Sequence, residues 1–431
     1  MKGLIFTYLM TYGGSLVALF NPFVGLLIYI CFAIIKPESL WYWAVPEGNY
    51  SRIIAVALLI GWAIQGFGHW QFGKGRGILL MFVGFWLWII PSTMGSSQPE
   101  LGWIFLESMA KVFLPFLVGM TLIDSDAKLK QLEWVMTLSL GYVAFEMNLS
   151  YYSGFNRMQI GGFGGMDNNS FAIEMVAGVG LALFLAFGAE KWWQKALALV
   201  AAILMAHSVI FSFSRGGMLA LIVTAGVGFF LLPKKPKHYL VFALVILLGL
   251  RLAGQEVTER FMTTFAKEEN RDASAQSRLD LWADCWDVML HYPVFGVGPD
   301  HWPLIAAEYG WPEGKEAHTL WLQTGAELGF AGLAFLGLFY GLCIARLFPL
   351  ARSKLGEQAT WQQDLARMVI ASLSGFVVAA QFVSLETLEF SYYVVLLGAG
   401  LLKQISSQQS QRKDVEAFGQ PSNECTLPRS I

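Results

Sequence analysis

Long apolar runs, interrupted by short polar segments, recur along the chain from its first residues to about Gln404. Runs of about 15 to 20 apolar residues match the thickness of a bilayer when they form helices, which satisfy their own backbone hydrogen bonds. The pattern predicts an all-α polytopic membrane protein with about 12 to 13 transmembrane helices. The lower count applies if the first two spans form a tight pair broken at Asn21 and Pro22. The predicted spans are residues 3–20, 23–35, 53–67, 77–94, 106–123, 132–149, 170–189, 196–213, 217–233, 239–254, 325–346, 367–384 and 389–403.

Two connections between the spans divide the chain. Residues 150–169 are rich in glycine, and residues 255–317 form a long polar loop. The tail after Gln404 is rich in Ser and Gln, a composition typical of disorder. We therefore divide the chain into N-terminal helices (1–149), central helices with a Gly-rich outer loop (150–254), a large extracytoplasmic loop with short helices (255–317), C-terminal helices (318–403) and a disordered tail (404–431).

Composition agrees with a membrane protein. The chain of 431 residues is 55% hydrophobic and 14% charged, whereas soluble domains carry about 25% charged residues. The net charge of −2 indicates no partner, and nothing in it favours nucleic acid. The first span lacks a small-residue cleavage site, so we expect it to be retained. Four cysteines lack paired or metal-ligand spacing and are expected to be structural and unpaired: Cys31, Cys285, Cys343 and Cys425.

The distribution of basic residues predicts the orientation. If the loop 255–317 lies outside, the loops on the opposite side hold more Lys and Arg, including a short basic turn at Lys234, Lys235 and Lys237. The outer segments 95–105 and 385–388 then hold none. Because cytoplasmic loops carry the excess of Lys and Arg, we expect an extracytoplasmic 255–317 loop and a cytoplasmic C-terminus.

The long loop contains a predicted amphipathic helix over residues 277–286. Apolar residues recur there every three or four positions, and Arg278, Trp282 and Trp286 share one face. The segment from Pro293 to Pro299 then predicts a tight turn that ends the helix. Aromatic residues near a bilayer surface are typical of an interfacial belt, and the alternative is that some of them stack on sugar rings. Those after the turn are Trp302, Tyr309, Trp311 and Trp321.

Arg215 lies between two strongly apolar spans, where a guanidinium is costly unless it snorkels or is paired. One interpretation is a snorkelling or helix-capping arginine. The other is an anion site, in which Gly216 and Gly217 let the backbone approach a ligand and Arg215 binds phosphate oxygens bidentately. Arg278 alone would be an ordinary helix-surface charge. Together with Arg215 it becomes the candidate second arm of a diphosphate clamp.

His318 lies where the long loop returns to the membrane, and we expect it to open a helix on the same face as the two arginines. A lone histidine is often structural. The functional alternative is a general base, since an ordinary histidine pKa near 6.5 suits a base working near neutral pH.

The segment from Gly161 to Ser170 is the remaining polar feature. It is either a flexible turn closed by an Asp or Asn helix cap, or a polar lip where Asp167 and Asn168 bind sugar hydroxyls or orient an arginine. The sequence contains no P-loop, no acidic or His-rich metal motif and no Gly-x-Ser-x-Gly elbow. We therefore expect no ATP hydrolysis, no metal and no cofactor.

Four motifs in this order resemble the O-antigen ligase and polymerase superfamily of bacterial inner-membrane glycosyltransferases. They are Ser214-Arg215-Gly216-Gly217, Ser277-Arg278-x3-Trp282, Pro293-x2-Gly296-x-Gly298 and His318-x4-Gln323-x3-Glu327-x-Gly329-x2-Gly332. This core resemblance covers roughly residues 200–345. The segments 36–41 and 167–169 resemble a branch of O-glycosylation ligases that accompany exosortase systems, which extends the likeness over most of 1–400.

The resemblance implies a GT-C-like helical architecture and metal-independent, inverting transfer at the periplasmic face. The implied donor is a glycan on undecaprenyl (polyprenyl) diphosphate, and the acceptor is a hydroxyl of lipid A core, a protein or another glycan. Carried over by position, Arg215 and Arg278 match the essential arginines and His318 the catalytic histidine. Further candidates for contacting glycan or acceptor, or for orienting the site, are Asp167, Asn168, Glu316, Trp282 and Glu327.

Two other functions compete with ligation. A polymerase would join lipid-linked repeats with the same donor chemistry, and only its acceptor would differ. A transporter of lipid-linked sugars would also explain the spans and arginines. It would predict charges deep inside helices and an internal duplication. The sequence indicates neither, and Lys111 and Glu174 come nearest to such charges.

Overall fold

The computed structural model describes residues 1–232, 273–353, 360–384 and 388–418, together with residues 236, 239, 240, 243, 247 and 251. Helices dominate these ranges, in which the only strand-like pairing is an isolated bridge between Phe163 and Met166. The prediction of an all-α membrane protein is therefore confirmed.

The helices of the first part of the chain are α1 Lys2–Phe20, α2 Pro22–Ile35, α3 Pro37–Leu40, α4 Tyr50–Ile64, α5 Arg76–Met94, α6 Pro99–Leu122 and α7 Asp126–Tyr152. Those of the second part are α8 Arg157–Ile160, α9 Asn168–Gly188, α10 Trp192–Phe211, α11 Arg215–Leu231, α12 Ala273–His291, α13 Trp302–Ile305, α14 Leu320–Arg352, α15 Trp361–Ala379 and α16 Glu389–Phe418.

Every predicted span except 239–254 falls on one of these helices, and most of 239–254 lies outside the described residues. In the described ranges, 8 helices are long and apolar enough to cross a membrane. The helices α4 and α11 are apolar but shorter, and α7 and α16 are long but more polar. The expected break between the first two spans is present, since the Asn21 side chain accepts a hydrogen bond from the Val24 N–H at 3.3 Å and caps α2.

Small residues let the central helices pack closely around α9. A Cβ added at Gly180 would lie 2.6 Å from Ser372 Oγ on α15, and one at Gly375 would lie 1.9 Å from Thr224 Oγ1 on α11. In lipid, where association rests on such close packing, these contacts hold α9, α11 and α15 together. The same packing brings the first residues of α9 and α11 to the segment that follows α15.

The large loop has the predicted internal order. The amphipathic segment 277–286 lies within α12, which ends at His291 before the turn at 293–299. Short helical segments follow at α13 and at a 3-10 turn over Ala306–Tyr309. Residues 255–272 of this loop and the basic turn at Lys234, Lys235 and Lys237 lie outside the described residues.

The tail differs from the expectation of disorder from residue 404. Helix α16 continues to Phe418, because its residues beyond the span still contact the protein. The Lys403 ammonium donates to the Met120 carbonyl at 2.6 Å, and Gln404 Nε2 donates to the Ile123 carbonyl at 3.3 Å. Residues 419–431 lie outside the described part of the chain.

Candidate active site

Helix α9 begins with a capped turn at Asp167. The Asp167 carboxylate accepts a hydrogen bond from the Ser170 N–H at 2.8 Å, and Asn169 Nδ2 donates to its other oxygen at 3.1 Å. Asn168 Nδ2 donates to the Ser212 carbonyl at 3.0 Å. The predicted helix cap is therefore present, and the partly exposed Asp167 side chain lies at the surface of the protein.

Helix α11 begins at Arg215 in the same way. The Ser214 hydroxyl accepts from the Gly217 N–H at 3.2 Å and donates to Asn169 Oδ1 at 2.7 Å. Asn169 thus bonds to Asp167 on one side and to Ser214 on the other. This bridge ties the first turns of α9 and α11 together and holds the Asp167 and Arg215 segments side by side.

The two glycines after Arg215 pack against protein. A Cβ added at Gly216 would lie 2.7 Å from the Phe382 ring, and one at Gly217 would lie 2.7 Å from Ala172 Cβ. The expectation that these glycines leave room for a ligand is therefore wrong. Their role in the structure is to let α11 approach Phe382 and α9.

Phe382 links this region to the large loop. Its ring centroid lies 6.2 Å from that of Trp282, and Trp286 lies edge-on to Phe330 at 6.1 Å. The predicted face of α12 that carries Arg278, Trp282 and Trp286 therefore packs toward the segment after α15 and toward α14. The Trp282 indole N–H is buried and finds no acceptor among the described residues.

His318 has a left-handed backbone with φ of 54° and lies two residues before α14. It precedes that helix and does not open it, which corrects the sequence expectation. Its neighbours are anchored, since the Ala317 N–H donates to Gln323 Oε1 and the Thr319 N–H donates to Ser384 Oγ, both at 3.2 Å. A left-handed non-glycine residue costs about 1–3 kcal/mol and persists only where its surroundings impose it.

The electrostatic surroundings of His318 include two candidate residues from other segments. Partial burial, which has the largest effect, and the cations of Arg278 and Lys315 together lower the pKa of His318 to about 4, and the anion of Asp167 opposes them. Partial burial would raise the pKa of Asp167, but hydrogen bonds from Ser170 and Asn169 and the nearby His318 hold it below its ordinary value. The imidazole is therefore neutral and the Asp167 carboxylate ionised at neutral pH.

Glu327 holds the loop in place. Its buried carboxylate accepts hydrogen bonds from the Asp300 N–H at 3.0 Å, the Trp302 N–H at 3.1 Å and Gln323 Nε2 at 3.2 Å. Both carboxylate oxygens are therefore used within the protein. Glu316, by contrast, is exposed on the loop just before His318.

The glycine motifs of this region place two backbones in close contact. Gly296 and Gly329 have φ of 67° and 69°, and an added Cβ would lie 2.2 Å from the Glu327 and Val294 backbones respectively. The Ser92 hydroxyl donates to the Phe295 carbonyl at 2.6 Å. The turn at 293–299 is therefore locked onto a kink in α14 and onto α5.

The structure thus brings Asp167, Arg278 and His318 into one electrostatic neighbourhood. It joins the Arg215 segment to that neighbourhood through Asn169 and Phe382. Among the described residues, no group of three or more His, Cys, Asp and Glu could hold a metal ion. Sequence reasoning did not single out Lys315, Phe382 and Ser384, and it gave Asn169 and Ser214 only as members of longer motifs.

Two families match parts of the chain. Residues 199–337 match a family described as O-antigen ligase, and this interval contains Arg215, Arg278 and His318. Residues 1–186 match a family of unknown function (DUF5935), and this interval contains Asp167. No curated protein matches the chain.

Proposed function

Since residues 199–337 make this chain a member of the O-antigen ligase superfamily, we propose that it transfers a glycan from undecaprenyl (polyprenyl) diphosphate to an acceptor hydroxyl. The reaction takes place at the periplasmic face of the bacterial inner membrane. The family supports O-antigen ligase or polymerase-type activity in general.

The observation that carries the proposal is the neighbourhood of His318. A neutral imidazole lies among Arg278, Lys315 and Asp167, outside the spanning part of α14. A hydroxyl is a poor nucleophile until a base takes its proton. His318 accepts that proton as the acceptor oxygen bonds to the anomeric carbon, and Asp167 stabilises the imidazolium that forms.

Arg215 and Arg278 bind the diphosphate of the donor. The bond from the anomeric carbon to the phosphate oxygen breaks with its electron pair passing to the diphosphate, so negative charge on the leaving group increases. Guanidinium groups placed at that charge stabilise the transition state more than the ground state. No metal ion is needed, and direct displacement inverts the anomeric carbon.

Donor binding also prepares the base. Arg278 and Lys315 hold the pKa of His318 down, and an anion placed beside them offsets their effect. The diphosphate therefore raises the pKa of His318, and the imidazole becomes a stronger base when the donor is in place.

The proposal is tested with purified protein in lipid nanodiscs, undecaprenyl-diphosphate-linked glycan and separate acceptors: lipid A core, a protein, or a second lipid-linked glycan. Glycan on either of the first two indicates ligation, and elongated lipid-linked glycan indicates polymerisation. Proteoliposomes test for transport in parallel. Relocation of the donor across the bilayer without a transferred product would overturn the proposal in favour of a flippase.

A further inference from the structure

A second polar cavity lies among the N-terminal helices and the first turn of α16. It has two lobes of about 290 and 270 Å³ that share Ala33, Lys36, Lys111, Gly164 and Glu389 as lining residues. Nothing in the proposed transfer reaction uses these side chains. The cavity includes Lys111 and Glu174, the nearest candidates in the sequence for charges inside helices, and Lys36, the first residue of the 36–41 segment.

The cations of the cavity are matched by carboxylates. Lys36 interacts electrostatically with Glu174 and Glu389. At the rim, Glu107 pairs with Lys111 and with Arg52, each at 3.5 Å. Among the lining residues the carboxyl groups of Glu38, Glu174 and Glu389 outnumber the amines of Lys36 and Lys111, so the cavity offers no excess of positive charge to an anionic head group.

Two carboxylate oxygens in the cavity lack partners. Glu174 is 3% exposed, and its Oε2 atom finds no hydrogen-bond donor among the described residues; the same is true of Glu389 Oε2. A buried acceptor without a donor is costly. The cavity therefore presents unsatisfied acceptors beside ammonium donors, a combination that suits sugar hydroxyls, which both donate and accept.

An apolar groove continues from the polar cavity. It has a volume of about 240 Å³ and shares Tyr29, Ser51 and Lys111 with the first lobe. Its remaining lining is largely aliphatic and includes Val56, Leu59 and Leu114. A polar cavity that opens into an apolar groove fits an amphiphilic molecule with one hydrocarbon chain along the groove.

We propose that this cavity binds the neutral sugar head group of a membrane amphiphile, with its hydrocarbon chain in the groove. Sugar hydroxyls donate to Glu174 and Glu389 and accept from Lys36. Gly164, in the cavity wall, lies three residues before Asp167, so their Cα atoms are at most about 11 Å apart. The site therefore adjoins the proposed transfer site, but the proposal rests on the cavity and groove alone.

The test uses dodecyl glucoside with a photoreactive diazirine in its chain, added to the full-length protein in phosphatidylcholine nanodiscs. We expect crosslinks on α4 and α6 along the groove. Ala33→Leu, which fills both lobes, and Glu174→Gln should each lower labelling roughly tenfold, the equivalent of one hydrogen bond to a charged group. Glu133→Gln is the matched control, because Glu133 is equally buried, also has an unpartnered oxygen and lines a different cavity.

Competition identifies the ligand chemistry. Unlabelled dodecyl glucoside should displace the probe, whereas free glucose at the same concentration should not, because it lacks the chain. Preferential displacement by dodecyl phosphate would overturn the proposal in favour of an anion site. Equal displacement of the probe by free glucose would show that the groove does not contribute to binding, which would overturn the part of the proposal that places the hydrocarbon chain there. Groove labelling that Ala33→Leu and Glu174→Gln leave unchanged would show a lipid-facing groove without a head-group site.

Discussion

The pH dependence of transfer distinguishes His318 in this structure from an ordinary histidine. A base works in its neutral form, so kcat/KM falls as pH drops through the pKa of the free enzyme's base. At pH 6.0, a histidine of pKa 6.5 is about 24% neutral, whereas one of pKa about 4, as His318 has, is about 99% neutral. Between pH 8 and 6, kcat/KM should therefore stay constant instead of falling about fourfold.

The acid limb of the pH profile, where kcat/KM falls as pH drops, should shift when the charges around His318 are changed. Removing a cation and removing an anion should shift it in opposite directions. Lys315→Met removes a cation that lowers the pKa of His318, so the limb moves to higher pH. Asp167→Asn removes an anion that raises the pKa, so the limb moves to lower pH. The assay is transfer of radiolabelled glycan measured from about pH 3 to 8, a range that extends below the pKa of His318, with pre-steady-state binding of donor followed separately.

Removing the base completes this prediction. His318→Ala should retain donor binding, because the arginines hold the diphosphate, and should lose roughly 10²–10⁴ in turnover. His291→Ala is the control, since His291 is exposed on α12 and pairs with Asp287. A folded His318→Ala protein that transfers at the wild-type rate would refute the assignment, and Asp167 or Glu316 would become the next candidates. If kcat/KM of the wild-type protein instead falls around pH 6.5, and Lys315→Met leaves that pH unchanged, the electrostatic reasoning is refuted.

Four further outcomes are expected from the site and the topology. Arg215→Lys and Arg278→Lys should weaken both donor binding and turnover, because lysine keeps the charge but loses the bidentate fork. Arg76→Lys, at an exposed position, is the control and should weaken neither. EDTA should leave transfer unchanged. Restoration of EDTA-treated enzyme by magnesium would contradict the metal-free clamp. Glu327→Gln should lower the free energy of unfolding by about 1–3 kcal/mol, since the new amide cannot accept from the Asp300 N–H; thermal unfolding against the exposed Glu308→Gln measures this, and equal melting temperatures would contradict it. Cysteines placed near Asp300 should react with an impermeant thiol reagent in spheroplasts, and cysteines placed near Lys74 should not. The reverse labelling would overturn the predicted topology.

Most of the helical architecture could be predicted because lipid leaves few alternatives to a helix. Apolar runs gave the position of each described span, and the Asn-Pro pair gave the break before α2. The end of α16 could not be predicted in this way. The composition after Gln404 is polar, but Lys403 and Gln404 bond to carbonyls at the end of α6, and such a tertiary contact leaves no trace in local composition.

The charged residues of the candidate site could be predicted from the sequence, but the contacts that connect them could not. Arg215, Arg278 and His318 stand out because charge near a membrane needs a reason. Phe382 is unremarkable in sequence, and Asn169 appears there only as one member of the 167–169 segment. Both make these connections because packing brings α9, α11 and the segment after α15 together. Gly216 was misinterpreted because close approach to a ligand and close approach to an aromatic ring leave the same signal, a glycine.

The hydrogen bonds of α14 explain how a loop can carry precise chemistry. The Gln323 side chain accepts a hydrogen bond from the Ala317 N–H and donates one to the Glu327 carboxylate. That carboxylate in turn accepts from the N–H groups of Asp300 and Trp302. The loop before His318 is therefore fixed to a spanning helix at both ends, so the imidazole need not reorganise as charge develops. In the proposed reaction this rigidity combines with the low pKa of His318. The base is weak until the diphosphate offsets Arg278 and Lys315, so an acceptor hydroxyl, or water, is activated efficiently only when the donor is bound.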